Sequence, residues 1–368
     1  MSKLLFVSYT NFIKNTFSGG HKVSKKNYQM NTALFGAENV DVIIFDSEVS
    51  EKREGNFLFI KSSPSKFKTF CNCLQSYARG YTKHCEDAII TQLTKNQYDY
   101  LYIDFSGYGV SLKKVRKVFK GKIITFFHDV EYNYELNRAR HDNKLYYLSA
   151  WVVRKAEKFA ISYSDYIIAL NTRDHELIRK IYGREPDIDL PVSFDDIADK
   201  NRLMTEKEDN FLLFVGSDFG PNVDGIRWFV KSVASEISMP LKIIGKGMER
   251  YKAEIRHKNV EIVGTVNDLS KYYYKASAVV LPIRYGDGMK VKTAEALMYG
   301  RTLIGTDEAF EGYEIENGVE GYRCNKPHEF IQTINNLTQK GYNERSRKLF
   351  LEKYELNNSI RAYRELLL

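Results

Sequence analysis

Short apolar runs alternating with helix-patterned stretches recur along this chain, and the series is played twice. In the first pass residues 3–8, 40–45, 57–60, 98–105, 122–127 and 166–170 read as strands, separated by stretches with helical spacing. Residues 186–209 then break the series: they hold Pro186, Pro191 and many acids, with no sustained period. From Asn210 the alternation restarts with FLLFVG, LKIIG at 241–245, VEIVG at 260–264, and further strands at 278–283 and 302–306. Strands alternating with helices predict parallel sheets covered on both faces. The expected fold class is therefore α/β, with two doubly wound Rossmann-like domains facing across a cleft. The expected bounds are 1–185 for an N-terminal domain, 186–209 for the linker and 210–352 for a C-terminal domain. Residues 353–368 should form a last helix that crosses back to the N-terminal domain.

A chain of 368 residues, 43% hydrophobic and 28% charged, has the make-up of a soluble globular protein large enough for two cores. Its longest apolar runs fall short of the roughly 18 residues a membrane-crossing helix needs. LLFV at the start is cut short by polar residues, so it reads as a strand and not as a secretory signal. The expected location is cytoplasmic. Charge is uneven: residues 1–185 carry 29 Lys+Arg against 19 Asp+Glu, a net +10, and residues 186–368 carry 26 against 28, a net −2. Such a basic half suits an anionic partner. Nucleic acid is not expected, since the sequence shows no reading helix, RNP-type aromatic motif or zinc-finger spacing. A lipid-linked acceptor at an anionic inner leaflet fits the asymmetry better. The four cysteines, with Cys71, Cys73 and Cys85 beside His84, have no zinc-ribbon spacing and read as free thiols.

Chemistry concentrates in residues 281–300, LPIRYGDGMKVKTAEALMYG. A strand ends, the chain turns through Gly286 and Gly288, and a helix begins whose Ala294, Leu297 and Met298 share one face. Asp287 and Glu295 lie eight residues apart, about 12 Å along a helix. Lys290 and Lys292 sit where the helix end already carries partial positive charge. Amides, dipole and ammonium groups together suit a diphosphate, and a carboxylate deeper in can accept from two sugar hydroxyls. In the first half, Gly19 and Gly20 lie at a strand-to-helix corner that lets backbone approach a ligand. His128 follows an apolar strand and precedes Asp129 and Glu131, at a strand end where open sheets place their ligands.

Taken together, FVGSDFGPNVDGIRWFV (214–230), LKIIGKG (241–247), VEIVGTVNDL (260–269) and residues 281–306 resemble the nucleotide-binding domain of GT-B glycosyltransferases, nearest to the retaining family 4. Gly19-Gly20, HDVEY (128–132) and SDYIIALNTRD (164–174) are similar to the same family. The resemblance implies that Glu295 holds the donor's ribose and that Asp287 faces the transferred sugar. It implies that Met289, Lys290, Val291 and Lys292 meet sugar and phosphate. Gly19 and Gly20 would close on the diphosphate, His128 would lie beside the reacting centre, and Gly216, Ser217, Gly245 and Val266 would line the donor. Two departures stand out. Asp287 replaces the usual Glu. Ser217 and about Asn222 stand where many members carry an Arg and a Lys that clamp the diphosphate, with no basic residue between Gly216 and Arg227. Lys290 and Lys292 would have to supply that charge.

The expected activity is retaining, metal-independent hexosyl transfer from a nucleotide-sugar to a glycan or lipid-linked acceptor, in surface polysaccharide biosynthesis and without a cofactor. The enzyme would be peripheral on the inner face of the plasma membrane. A nucleotide-sugar epimerase or hydrolase, or a non-catalytic glycosyltransferase-like subunit, are the alternatives.

Overall fold

Parallel pairing organises both halves of the chain. The computed structural model describes residues 2–8, 10–14, 19–62, 77–78, 80–141, 143–286 and 288–367. Asp287, Cys71 and Cys73 lie outside the described residues, as do Thr16, Phe17 and Ser18 ahead of the glycine pair. The chain divides into two compact units, Met1–Pro191 with Ser359–Leu368, and Val192–Asn358.

In the first unit the elements run β1 (Leu4–Ser8), α1 (Gly19–Phe35), β2 (Val40–Asp46), β3 (Lys52–Glu54), β4 (Phe57–Lys61), α2 (Lys83–Lys95) and β5 (Tyr100–Ile103). They continue with α3 (Leu112–Val118), β6 (Lys122–Phe126), α4 (Glu131–His141), α5 (Tyr146–Tyr163), β7 (Tyr166–Ala169), α6 (Thr172–Tyr182) and β8 (Ile188–Asp189). The sheet order is β3-β4-β2-β1-β5-β6-β7-β8. Every pairing is parallel except the β3–β4 edge. Strand order reverses between β1 and β5, which is where a doubly wound sheet opens a crevice at its carboxyl edge. Leu4, Leu5, Phe6 and Val7 are wholly buried, as a central strand covered on both faces requires.

The second unit contains α7 (Lys200–Thr205), β9 (Leu212–Val215), α8 (Gly220–Ser232), β10 (Leu241–Ile244), β11 (Val260–Gly264), α9 (Ser270–Lys275) and β12 (Ala278–Leu281). Then follow α10 (Val291–Met298), β13 (Leu303–Gly305), β14 (Gly321–Arg323), α11 (Pro327–Asn335), α12 (Glu344–Leu349) and the start of α13 (Leu356–Leu367), whose residues from Ser359 on belong to the first unit. Its sheet is parallel, ordered β11-β10-β9-β12-β13-β14, with the reversal between β9 and β12.

One expectation changes, and two local features stand beside it. Residues 186–209 are not a bare connection, because β8 closes the first sheet and α7 belongs to the second unit. Helix α5 is preceded by α4, whose first amides at Glu131 and Tyr132 donate to Glu157 of α5 at 2.9 and 3.2 Å. A cap supplied 25 residues downstream leaves no local signature. After Gly247 the chain forms one 3-10 turn, Met248–Tyr251.

Candidate functional site

Two groups of side chains gather at the two sheet reversals, one in each unit.

In the second unit, β9 runs out into Gly216 and Ser217 and β12 runs out toward α10. Gly216 N–H bonds Ile244 O at 2.9 Å, and Gly245 N–H bonds Gly264 O at 2.9 Å. Gly245 has φ of 158°, and a Cβ there would lie 1.9 Å from the Gly216 carbonyl oxygen. Only glycine lets the ends of β9 and β10 approach this closely. Asn222, at the start of α8, donates from Nδ2 to Ser217 O at 3.0 Å. Its Oδ1 accepts a hydrogen bond from Lys292 Nζ. The Lys292 ammonium also lies 4.8 Å from the centre of the Phe214 ring. Burial pushes its pKa down to about 7, with Lys290 adding to the shift and Glu295 opposing it.

Lys290 is the N-cap residue of α10, and its side chain makes no cap hydrogen bond. It could not cap amides, since an ammonium only donates. Instead Lys290 Nζ donates to Gly288 O at 2.7 Å and to Glu308 Oε1 at 2.5 Å, while Lys290 O accepts from Tyr313. Its side chain is 12% exposed. The reach from Gly286 to Lys290 depends on positive φ at Gly286 and Gly288, 148° and 63°. Met289 is buried, whereas Val291 and Glu295 are half-buried. Tyr273 donates to Glu295 Oε2 at 3.4 Å and stacks on Tyr299 at 4.7 Å, walling one side of the carboxylate. Val266 is half-buried on the loop after β11.

In the first unit, Gly19 and Gly20 are the first residues of α1. His128 follows β6, is 7% exposed, and meets the Asp104 carboxylate through Nε2 at 3.2 Å. It also stands edge-on to Phe126 at 5.0 Å. Asp104 follows β5, is wholly buried, and accepts from Asn27 Nδ2 at 2.6 Å. Lys26 of α1 is buried beside this group, bonding Pro191 O at 3.4 Å and lying 4.9 Å from the Phe126 ring centre. Burial lowers its pKa to about 7, against the pull of Asp104. Residues on α1, β5 and β6 thus form one buried polar cluster at the carboxyl edge of the sheet.

Residues 209–340 match the family described as glycosyl transferases group 1. This segment is a group 1 glycosyltransferase domain. No curated protein matches the sequence. Among solved structures, sucrose-phosphate synthase from Thermosynechococcus elongatus superposes with a TM-score of 0.73 at 15% identity, covering 100% of this chain and 99% of that one. HepE of Anabaena in complex with UDP-glucose gives 0.69 at 13%, with the same coverage. The lipopolysaccharide outer core galactosyltransferase WaaB gives 0.66 at 14%, covering 99% of each chain. The fold of the chain is that of the GT-B glycosyltransferases.

For this glycosyltransferase domain, Gly216, Ser217, Lys292 and Asn222 meet at one point, and Lys290 with Met289, Val291 and Glu295 share α10 or its entry. Sequence reasoning missed Glu308, Tyr273, Asp104, Asn27 and Lys26. Asp104 and Glu308 both follow strands at the carboxyl edge, a position that could have marked them. Lys26, Asn27 and Tyr273 lie within helices and carry no such signal. Among the described residues no cluster of three His, Cys, Asp or Glu side chains could hold a metal ion. Cys85 and Cys324 are buried free thiols. A surface concavity of about 750 Å³, lined by Met204, Thr302, Tyr322 and Tyr342 among others, shares no residue with either cluster.

Proposed function

We propose that the chain is a retaining, metal-independent hexosyltransferase of family 4 type that takes its sugar from a nucleotide-sugar and delivers it to a hydroxyl of a glycan or lipid-linked acceptor. The observation that carries this reading is the Lys292 ammonium, held by Asn222 beside the Gly216–Ser217 turn at the β9/β12 reversal. The Arg and Lys expected from family resemblance are absent from the β9 side, and a cation from α10 reaches the same turn. Lys290 lies one turn-entry away, 12% exposed. As the bond between the anomeric carbon and the diphosphate oxygen breaks, negative charge grows on that oxygen. Fixed ammonium groups and the amides opening α10 lower the barrier by meeting it there. The incoming hydroxyl gives its proton to the departing diphosphate on the same face of the sugar, so configuration is kept without a carboxylate nucleophile. Glu295, walled by Tyr273, takes the ribose hydroxyls of the donor. His128, steadied by Asp104, serves the acceptor or the transferred sugar. Surface polysaccharide synthesis at the inner face of the plasma membrane is the setting we assign to the reaction.

A panel of UDP-, GDP- and TDP-hexoses, read by thermal shift, tests the donor, because a ligand that binds only the folded state raises the melting temperature. At least one nucleotide-sugar should do so. With that donor and its acceptor, Glu295→Ala and Lys290→Ala should each reduce turnover more than tenfold, and the product should keep the donor's anomeric configuration by NMR. A flat panel, or near wild-type rates in both variants, contradicts the assignment.

A further inference from the structure

One face of α8, in the second unit, carries side chains that the proposed reaction does not use. Gly220, Asp224 and Trp228 follow one another at intervals of four and so share that face. The segment leaving β12 is pinned along it. A Cβ on Gly225 would lie 2.1 Å from Pro282 O, so the two backbones touch there. Arg284 then forks onto Asp224, Nε to Oδ2 at 3.0 Å and Nη2 to Oδ1 at 2.8 Å, with its guanidinium 5.8 Å from a ring centre of Trp228. The Tyr285 hydroxyl comes within 3.5 Å of where a Cβ on Gly220 would stand, next in the chain to Phe219, the N-cap residue of α8. Despite this fixing the group stays open to solvent. Phe219 is 57% and Tyr285 46% exposed, the Arg284 and Asp224 side chains are 44% and 32% exposed, and Trp228 is half-buried. Asn222, which meets Lys292, leaves α8 on the opposite side, since residues two apart on a helix are turned by about 200°. Gly286, next after Tyr285, lies against Lys290: a Cβ there would be 3.7 Å from Nζ. The array therefore adjoins the start of α10 without overlapping the groups assigned to diphosphate and ribose.

We propose that this array is a subsite for an uncharged sugar ring of the acceptor glycan, one other than the sugar whose hydroxyl reacts. A hexose has an apolar C–H face and an edge of hydroxyl groups. Exposed aromatic rings take the first, with the Tyr285 hydroxyl as a polar tip. The second needs donors and acceptors in a fixed plane, and a forked guanidinium–carboxylate pair supplies both with no net charge. That neutrality argues against phosphate or an acidic sugar, which Lys290 and Lys292 are better placed to draw. A nucleobase could stack on the same rings, but the donor reading sends the nucleotide toward Glu295, more than a turn into α10. A protein partner is poorly matched as well, since a stable interface takes about 800 Å² from each side and this array is six residues. The inference rests on the proposed function only in calling the glycan an acceptor; the sugar subsite stands on the array itself.

The test is saturation-transfer NMR of the full chain, titrated with the neutral trisaccharides maltotriose, cellotriose and triacetylchitotriose and with trigalacturonic acid as the charged control. At least one neutral trisaccharide should bind, and trigalacturonic acid should bind it at least tenfold more weakly. Phe219→Ser with Tyr285→Ser should weaken the neutral sugar at least tenfold, and Asp224→Ala with Arg284→Ala at least fivefold. Ile197→Ser with Met204→Ser, exposed elsewhere on the second unit, should change it less than twofold. Trp151→Phe leaves Trp228 as the sole tryptophan, and its emission should move to shorter wavelength as the sugar binds. The thermal shift given by the nucleotide-sugar donor should be the same in every variant, which shows that the fold and the donor site are intact. A nucleotide-sugar panel that is flat while a trisaccharide binds through Phe219 and Tyr285 would sink the donor reading and leave the sugar subsite standing. No binding of any neutral trisaccharide, equal binding of trigalacturonic acid, indifference to Phe219 and Tyr285, or loss of the donor's thermal shift in the array variants would each overturn the proposal.

Discussion

At the scale of single residues the proposed chemistry rests on lysines held where water is scarce. Lys292 in the free protein has its pKa lowered to about 7 by burial. Between that value and its ordinary 10.5 the unfolded chain binds a proton that the folded chain does not. Stability from this group therefore rises with pH across that window and is lost as pH falls through about 7. A diphosphate beside the amine reverses the balance by favouring the charged form. Calorimetry of UDP or the matching nucleotide at pH 8, in buffers of different ionisation enthalpy, should show proton uptake on binding, and Lys292→Met should remove most of it along with more than tenfold in affinity. In the first unit Asp104 fixes His128 through Nε2 and is itself held by Asn27. Asp104→Asn should lower kcat about tenfold or more, with donor affinity changed less than twofold. Combined with His128→Asn it should cost little beyond the single variants, the non-additivity expected of residues that act as a unit.

Among elements, strands and their order of use were the easiest to read. Continuous apolar runs such as Leu212–Val215 and Ala278–Leu281 can only be buried on both faces, and both are wholly or nearly buried here. The α10 region was legible because glycines, lysines and a helical stripe sit within twenty residues. What remained hidden depended on distant partners: the Glu157 carboxylate that starts α4, the three-residue strands β3 and β14, and the polar inner face of α1. That face, with Ser24, Lys26, Asn27 and Asn31 buried, contradicts the apolar stripe by which helices are recognised. Lys292 was read as a helix-end cation, yet its partner Asn222 is 70 residues earlier and no spacing rule joins them. Gly245 offers a test at this scale. Gly245→Ala would drive a methyl into the Gly216 carbonyl, parting β9 from β10. Overpacking of this kind costs about 1–3 kcal/mol, read by urea melts, and the displaced Gly216–Ser217 turn should weaken donor binding more than tenfold by thermal shift.

Over the whole molecule, the chain leaves the first unit once and returns to it only at its end. Ser359–Leu368 count with the first unit although 167 residues of the second, Val192–Asn358, intervene. The return is anchored by Tyr363, wholly buried, whose hydroxyl donates to Asn31 Oδ1 at 2.9 Å and whose ring meets Tyr102 edge-on at 6.2 Å. Asn31 in turn donates to Asn27 O at 2.8 Å, so the last helix covers the same polar face of α1 that holds Asp104 and, through it, His128. Removing that cover should therefore be felt in the first unit and at His128, not in donor binding. Truncating a buried aromatic side chain to alanine costs about 3–5 kcal/mol, and the orphaned Asn31 adds to it. Tyr363→Ala should lower the denaturation midpoint of the first unit and reduce kcat. Tyr363→Phe, which keeps the ring and loses only the hydrogen bond, should cost about 1 kcal/mol. A saturating nucleotide-sugar identifies the second unit's transition by raising it, and that transition should be unmoved in Tyr363→Ala. If instead the donor-stabilised transition falls and the other does not, the last helix serves the second unit and the division of labour between the two polar clusters is wrong.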